Sequence, residues 1–97
     1  MHDVQLKVNE KGRGEFYIAR DGEEIAEMEI KIDTDNLTVY HTEVAKEEEG
    51  KGLAKKLLDH MVDYARKHKL KVVPLCPYVY AEFKKHRTEY ADLWDGK

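Results

Sequence analysis

Apolar and polar side chains alternate with a period of two through the first half of the chain, which is the pattern of half-buried β-strands. In the third such segment, Met28, Ile30 and Ile32 share one face and charged residues share the other. Asp21-Gly22 separates the second and third segments and is typical of a two-residue hairpin, because both central positions need positive φ. The short connections predict an antiparallel meander. Its four strands cover residues 4–8, 15–20, 23–32 and 37–44, with polar turns at 9–14 and 33–36.

The apolar period then lengthens to three and four residues, which predicts a long amphipathic helix. Its apolar stripe comprises Leu53, Ala54, Leu57, Leu58, Met61, Val62 and Ala65. Residues 70–75 are predicted to form a covered fifth strand, and a crossover of this length makes strands four and five parallel. Pro77 favours the start of a short helix over residues 78–86. In the tail, residues 87–97, helical spacing relates Tyr90, Leu93 and Trp94, which should pack back on the body.

These elements predict an α/β (α+β) fold. It consists of a four-stranded antiparallel meander, a long helix, a parallel fifth strand and a short C-terminal helix. A chain of 97 residues allows one domain, 1–97.

Composition limits the function classes. Hydrophobic residues make up 41% and charged residues 38% of the chain, which fits a small globular fold. The net charge of −3 is mixed along the chain, and no apolar run is long enough to span a bilayer, so neither nucleic acid nor a membrane is an expected partner. The N-terminus lacks the layout of a signal peptide. Cys76 is the single cysteine, which excludes an internal disulfide and favours a reducing cytoplasm.

A Gly50-x-Gly52 pair lies where the fourth strand is followed by the long helix. The first amides of a helix are free to bind an anion, and glycine removes the Cβ atoms that would keep the anion away. Two interpretations remain, a phosphate or pyrophosphate cradle and a tight turn with close helix packing. The carboxylates of residues 47–49 repel a phosphate and are expected to form a solvated loop. The cations that favour a phosphate are Lys51, Lys55 and Lys56.

Cys76 follows the fifth strand, between two prolines, at the carboxyl edge where α/β sheets bind ligands. It is either a buried packing residue or a nucleophile that faces a cleft. A nearby histidine would activate the thiol. His41, on the adjoining strand, is the candidate for that role, or it is an ordinary half-exposed strand histidine. No metal is expected, because no metal-ligand spacing relates Cys76 to His2, His60, His68 or His86.

Four segments together resemble one family. They are His41-Thr42-Glu43-Val44, Gly50-Lys51-Gly52-Leu53-Ala54-Lys55-Lys56-Leu57, Pro74-Leu75-Cys76-Pro77-Tyr78-Val79 and the late Tyr90. The family is the small, minimal branch of the GNAT (Gcn-five-related) N-acetyltransferase superfamily. The resemblance runs over about residues 15–94 and implies a GNAT-like fold with acetyl-coenzyme A as co-substrate.

The resemblance also implies where coenzyme A binds. The pyrophosphate would rest on amides at the start of the long helix, and the pantetheine arm would lie along the splayed fourth strand. Cys76 takes the position of the proposed catalytic cysteine of this branch, and His41 is its candidate partner. The cofactor-binding positions carried over to this chain are Thr42, Glu43, Val44, Gly50, Lys51, Gly52, Leu53, Ala54 and Lys55.

The chain departs from full-length relatives at the same places. Glu47 and Glu49 occupy positions that are often polar or basic in those relatives, which should weaken the affinity for pyrophosphate. Phe83 replaces the general-acid tyrosine, for which Tyr78 or Tyr80 could substitute. The N-terminal helix that covers the acceptor in larger relatives is absent from this sequence.

Three functions are compatible with these features. The resemblance favours an enzyme that moves acetyl from coenzyme A to an amine, on a small molecule or a protein. The alternative is a coenzyme A-binding or protein-interaction module on the same scaffold, with little or no catalysis. A nucleotide-phosphate binder ranks last, because no metal-holding residue stands beside the glycine turn.

Overall fold

The computed structural model describes residues 3–96. Met1, His2 and Lys97 lie outside the described residues, so the structure does not bear on the expectations for the N-terminus, for His2 as a metal ligand or for the last residue of the tail. Between residues 3 and 96, no helix combines the length and the apolar character that a membrane span requires.

One five-stranded sheet and two α-helices form the described chain. The strands are β1 (Val4–Val8), β2 (Arg13–Arg20), β3 (Glu23–Ile32), β4 (Asn36–Val44) and β5 (Lys71–Pro74). The helices are α1 (Leu53–Lys67) and α2 (Pro77–Lys85), and a 3-10 turn, Lys46–Glu48, follows β4. The strands lie in chain order, antiparallel from β1 to β4, and β5 is parallel to β4. The predicted fold class is therefore confirmed.

The turn before β2 is shorter than the predicted 9–14. β2 begins at Arg13, and Gly14 already pairs with Val8 of β1. A Cβ atom on Gly14 would lie 1.8 Å from the backbone oxygen of Lys7, so only glycine allows this close approach of the two strands. The polar composition of the segment suggested a turn, whereas the close strand pairing extends the ladder into it. The hairpin predicted at Asp21-Gly22 is confirmed, with positive φ at both residues.

The apolar stripe of α1 packs on one face of the sheet. Leu57, Met61 and Ala65 are fully buried, and the helix contacts β2, β3 and β4. Met28 and Ile30 of β3 are fully buried beneath it. Each completely buried leucine or methionine contributes roughly 1.5–3 kcal/mol, so this interface is a main source of stability. The predicted orientation of the long helix is confirmed.

α2 and the tail complete the core beside α1. Phe83 of α2 is fully buried and stacks on Tyr90 of the tail, with ring centroids 4.5 Å apart. Leu93 and Trp94 are buried as well, and the amide of Val72 in β5 donates to the carbonyl of Leu93 at 2.8 Å. The tail therefore packs back on the body, as predicted, and covers the outer edge of β5.

A β-bulge in β4 decides which side chains reach the helices. Met28 of β3 pairs with Thr42 and Ile30 pairs with Val39, so β4 carries one extra residue at this point. Side chains alternate along a regular strand, and one extra residue reverses the alternation. Val39 and Thr42 therefore both face the helix layer, although Thr42 is three residues after Val39 and would face the other side in a regular strand. His41, between them in sequence, is exposed on the opposite face.

β4 and β5 separate beyond the middle of β4. Their parallel pairing ends at Val39 and Pro74, and the amide of Cys76 donates to the carbonyl of Val39 at 2.9 Å. Beyond this point the β5-facing edge of residues 40–44 has no strand partner within the described part of the chain. The chain enters α2 instead, with Pro77 in the first turn. The two strands therefore diverge and leave an open groove between them.

Candidate functional site

A pocket of about 410 Å³ lies between the end of β4, the start of α1 and the start of α2. It contains seven of the nine predicted cofactor-binding residues, but neither Glu43 nor Lys51 lines it. The lining also includes two acidic side chains and a tyrosine that were not among the predicted cofactor-binding residues. The full lining is Thr42, Val44, Glu48, Glu49, Gly50, Gly52, Leu53, Ala54, Lys55 and Tyr78.

One wall of the pocket is the N-terminal turn of α1. Gly52 is the N-cap residue with a left-handed φ of 77°, and no side chain of residues 3–96 caps the helix. The first helical bond joins the amide of Lys56 to the carbonyl of Gly52 at 3.1 Å. The amides of the preceding turn therefore have no acceptor within the helix. A Cβ atom on Gly50 or Gly52 would meet no atom within 4 Å, so the space beside these amides is open.

The expected solvated loop of residues 47–49 is wrong for Glu48. This side chain is only 2% exposed and lies in the wall of the pocket. Its carboxylate accepts a hydrogen bond from Lys51 Nζ at 3.0 Å and from Arg20 Nη1 at 3.2 Å, and a further bond from Arg20 Nη2. The bond from Lys51, with the adjacent Arg20, lowers the pKa of Glu48. Glu47 and Glu49 are exposed as expected.

The lysines predicted to meet phosphates are engaged differently. Lys51 is bound to Glu48 and does not line the pocket. Lys55 does line it, and its Nζ donates to Asp59 at 2.8 Å, a bond that raises the pKa of the lysine. Both side chains are more than half exposed. A ligand anion at the pocket would therefore compete with a carboxylate for each of these cations.

Cys76 does not line the pocket but contacts Thr42, which does. It is 2% exposed, and its Sγ is 3.3 Å from Oγ1 of Thr42, which does line the pocket. Cys76 is also the N-cap residue of α2. Cys76 follows β5 at the opening between β4 and β5, but its thiol is buried and does not line the pocket.

The structure does not bring His41 to Cys76. His41 is on the opposite face of β4 from Thr42, its side chain is 58% exposed, and its Nε2 is 3.2 Å from Glu43 Oε1. The same alternation places the side chain of Glu43 away from the pocket. The β4 bulge is the cause, since it assigns the helix-facing positions to Thr42 and Val44. His41 could activate Cys76 only if its side chain were on the helix-facing side of β4.

Tyr78 is the tyrosine that reaches the pocket. It stands in the first turn of α2, and burial together with nearby Glu82 raises the pKa of its hydroxyl. The hydroxyl therefore stays neutral at physiological pH and remains a hydrogen-bond donor. Tyr80 instead packs edge-on against Trp94, and Phe83 is buried in the core. The sequence left Tyr78 and Tyr80 as equal candidates, and only the packing of α2 places Tyr78 in the pocket lining.

Residues 15–93 match the family model described as GCN5-related N-acetyl-transferase. The chain belongs to this family. The resemblance found in the sequence is thereby confirmed. No curated protein matches the sequence of this GCN5-related chain significantly.

Several solved structures have a similar fold. A GCN5-like protein from Staphylococcus aureus is 29% identical, with a TM-score of 0.67, and the match covers 93% of this chain and 86% of that one. The ribosomal-protein-S18-alanine N-acetyltransferase of Escherichia coli is 21% identical, with a TM-score of 0.59, over 67% of this chain and 42% of that one. The ribosomal-protein-alanine N-acetyltransferase of Brucella melitensis is 22% identical, with a TM-score of 0.61, over 84% and 64%. The GCN5-related chain spans less than two thirds of these two enzymes.

A second group of titratable residues lies on the sheet face away from the helices of this GCN5-related chain. Glu15, Glu24 and Glu27 place carboxylate oxygens within 4.8 Å of one another. Burial, and then hydrogen bonding with Glu24, raises the pKa of Glu15 to about 7. Lys7 Nζ lies 2.8 Å from Glu24 and 3.4 Å from Glu15. Nothing beyond the acidic cluster itself indicates a cation here.

We expect the stability of the protein to fall as the pH rises through about 7, because of Glu15. Its pKa is higher in the folded than in the unfolded chain, so its stabilising contribution is complete below about pH 4.5 and lost above pH 7. Glu15→Gln should therefore gain about 1–2 kcal/mol over wild type at pH 8 and little at pH 4.5, less than the full shift implies because water reaches the site. Urea unfolding at both pH values measures this, with Glu10→Gln as an exposed control. An equal effect of Glu15→Gln at both pH values would contradict the assignment.

Proposed function

We propose that the protein is an N-acetyltransferase that uses acetyl-coenzyme A and an amine acceptor. The observation that carries this proposal is the single pocket that joins the uncapped start of α1 to the open edge of β4. Membership of the GCN5-related family supports the reaction class. The acceptor class, a small molecule or a protein amine, stays open. The lone cysteine favours the cytoplasm as the location.

The residues present fit coenzyme A in two respects. The free amides around Leu53, beside two glycines that leave open space, suit the pyrophosphate. Val44 and Thr42 line the pocket beside the unpaired edge of β4, which suits the pantetheine arm and its amides. Glu49 opposes the charge of the pyrophosphate, since it lines the pocket and has no ion-pair partner among residues 3–96. We therefore expect binding of moderate affinity.

Bound acetyl-coenzyme A would supply an activated acetyl group, and the residues of the chain would orient it and move protons. The unpaired amides of β4 can donate to the thioester oxygen, which holds the carbonyl for attack by a neutral amine. Tyr78 offers a neutral hydroxyl in the pocket that can protonate the departing thiolate, and the proton that the acylated nitrogen loses restores this hydroxyl. Cys76 is the other candidate, as acid or as nucleophile, and would first have to become accessible from the pocket, because its thiol is buried beside Thr42.

Calorimetric titration tests the proposal before any acceptor is known. We expect coenzyme A and acetyl-coenzyme A to bind with one site and a Kd between about 1 μM and 1 mM. Pantetheine, which lacks the pyrophosphate, should bind at least about tenfold more weakly, since it cannot use the amides of α1. Two-dimensional NMR should show the largest shifts at Gly50, Gly52 and Leu53. Absence of binding at millimolar coenzyme A, or shifts confined to another face, would contradict the proposal.

A coenzyme A-binding module without catalysis is the second candidate. The observation that favours it is the burial of Cys76 away from the pocket surface, together with the position of His41 on the other face. This candidate predicts the same titration result but no acetyl transfer to a panel of primary amines. Release of free coenzyme A thiol, followed with a thiol reagent at saturating acetyl-coenzyme A, separates the two.

A further inference from the structure

The segment that would receive the pyrophosphate is a turn with two glycines. Gly50 and Gly52 both have left-handed φ, at 84° and 77°, and glycine loses more conformational freedom on ordering than any other residue. Lys51 stands between them and is the one side chain through which this turn can be fixed. The direction of the free amides of α1 depends on that turn, because Gly52 is the N-cap.

The described structure fixes Lys51 through a buried carboxylate. Lys51 Nζ donates to Glu48 at 3.0 Å, and the same carboxylate is held by both terminal nitrogens of Arg20 at the end of β2. Arg20 does not line the pocket that the described residues form. The contacts therefore connect the β2–β3 hairpin, through Glu48, to the middle of the glycine turn.

Two roles for Glu48 make opposite predictions. If Glu48 only adds negative charge to the wall of the pocket, its removal should strengthen binding of a polyanion and free Lys51 to meet it. If Glu48 holds the turn, its removal should weaken binding although the pocket becomes more positive. The burial of Glu48 and its three bonds to two cations favour the second role, because a carboxylate with no structural task is rarely buried.

We propose that Glu48 is a positioning residue that, with Arg20 and Lys51, holds the Gly50–Lys51–Gly52 turn in the conformation that binds the pyrophosphate of coenzyme A. The inference rests on the proposed function, since it assigns a task within that binding site. Glu48 does not contact the pyrophosphate in this assignment. It acts through Lys51, and Arg20 acts through Glu48. The positions of the α1 amides are thereby set before the ligand arrives, which lowers the entropy cost of binding.

The experiment compares neighbouring and matched substitutions in the full chain. Glu48→Gln and Glu49→Gln remove the same charge from the same pocket wall, but only Glu48 holds cations. Arg20→Met breaks the contacts from outside the pocket. Arg66→Met is its control, because Arg66 also holds a carboxylate, Asp92, at 3.0 Å, far from the glycine turn in the fold.

Coenzyme A affinity is measured by calorimetry, together with the melting temperature and the 15N relaxation of the Gly50, Lys51 and Gly52 amides. We expect Glu48→Gln to raise the Kd about tenfold, comparable to the loss of one charge-assisted hydrogen bond. Arg20→Met should raise it about threefold or more by the same route. Both should lower the order parameters of the turn. Glu49→Gln should lower the Kd about two- to fivefold, and Arg66→Met should change it less than twofold.

If wild type and Glu49→Gln both fail to bind coenzyme A, the proposed function fails and the inference fails with it. If wild type binds but Glu48→Gln binds equally or more tightly, the inference alone is overturned and the proposed function stands. An unchanged Kd in a folded Arg20→Met protein also overturns it, and this variant keeps the test decisive if Glu48→Gln does not fold. A rise in KM for acetyl-coenzyme A with unchanged kcat in Arg20→Met would support it further.

Discussion

Replacing Gly52 with valine is expected to abolish coenzyme A binding, with a loss of affinity of at least about a hundredfold. The residue is the N-cap of α1, and a side chain there would enter the open space beside the free amides. Valine also resists the left-handed φ of 77°, which costs about 1–2 kcal/mol, so the turn would move away from its binding conformation as well. Calorimetry and a thermal melt measure the two effects separately.

Two further variants separate steric exclusion from backbone strain. Gly52→Asn adds a side chain with less strain, because asparagine tolerates left-handed backbone, and should still bind coenzyme A poorly. Gly22→Val places the same strain in the hairpin turn, where φ is 81° and a Cβ atom also meets no neighbour, so it calibrates the loss of melting temperature. Wild-type affinity in a folded Gly52→Val protein would exclude α1 as the pyrophosphate site.

Cys76→Ala is expected to lower the rate of acetyl transfer at least about a hundredfold while the Kd for coenzyme A changes little. Cys76 is the N-cap of α2, and its thiol lies 3.3 Å from the hydroxyl of Thr42, which lines the pocket. Alanine is the suitable replacement, because serine would place a hydroxyl in a buried position. Initial rates and calorimetry provide the two quantities.

The opposite result has a clear structural meaning. A loss of about 1 kcal/mol of stability with turnover intact would make Cys76 a packing residue. The group that protonates the thiolate would then be Tyr78, and Tyr78→Phe should lower kcat instead. Intact-mass measurement after incubation with acetyl-coenzyme A shows whether an acetyl adduct forms. An adduct in wild type that is missing in Cys76→Ala would indicate a covalent route.

Local periodicity was sufficient to predict the architecture. The two-residue alternation in β3 and the stripe through Leu57 and Met61 are properties of neighbouring positions, so they are visible without tertiary contacts. The Gly50-x-Gly52 pair was also interpretable, because positive φ at a helix start is a local requirement. Most of the pocket could therefore be named from the resemblance and the glycine turn.

Long-range contacts decided what the sequence could not predict. Glu48 looked like its neighbours Glu47 and Glu49, and only the approach of Arg20, 28 positions earlier, makes it a buried residue. Tyr78 and Tyr80 were equivalent in sequence, and the rotation of α2 against the core separates them. Such effects depend on how elements dock, which no local pattern records.

The bulge in β4 changes which side chains of the strand face the helices. Before it, the odd-numbered Leu37 and Val39 face the helices; after it, the even-numbered Thr42 and Val44 do. Removing Tyr40 would remove the bulge and restore one regular alternation along the strand, with Thr42 and Val44 still facing the helices. One residue added or lost after the bulge, between His41 and Val44, would instead turn Thr42 or Val44 to the opposite face and exchange the side chains that β4 presents to the pocket. This part of the strand is therefore more sensitive to insertion and deletion than to substitution.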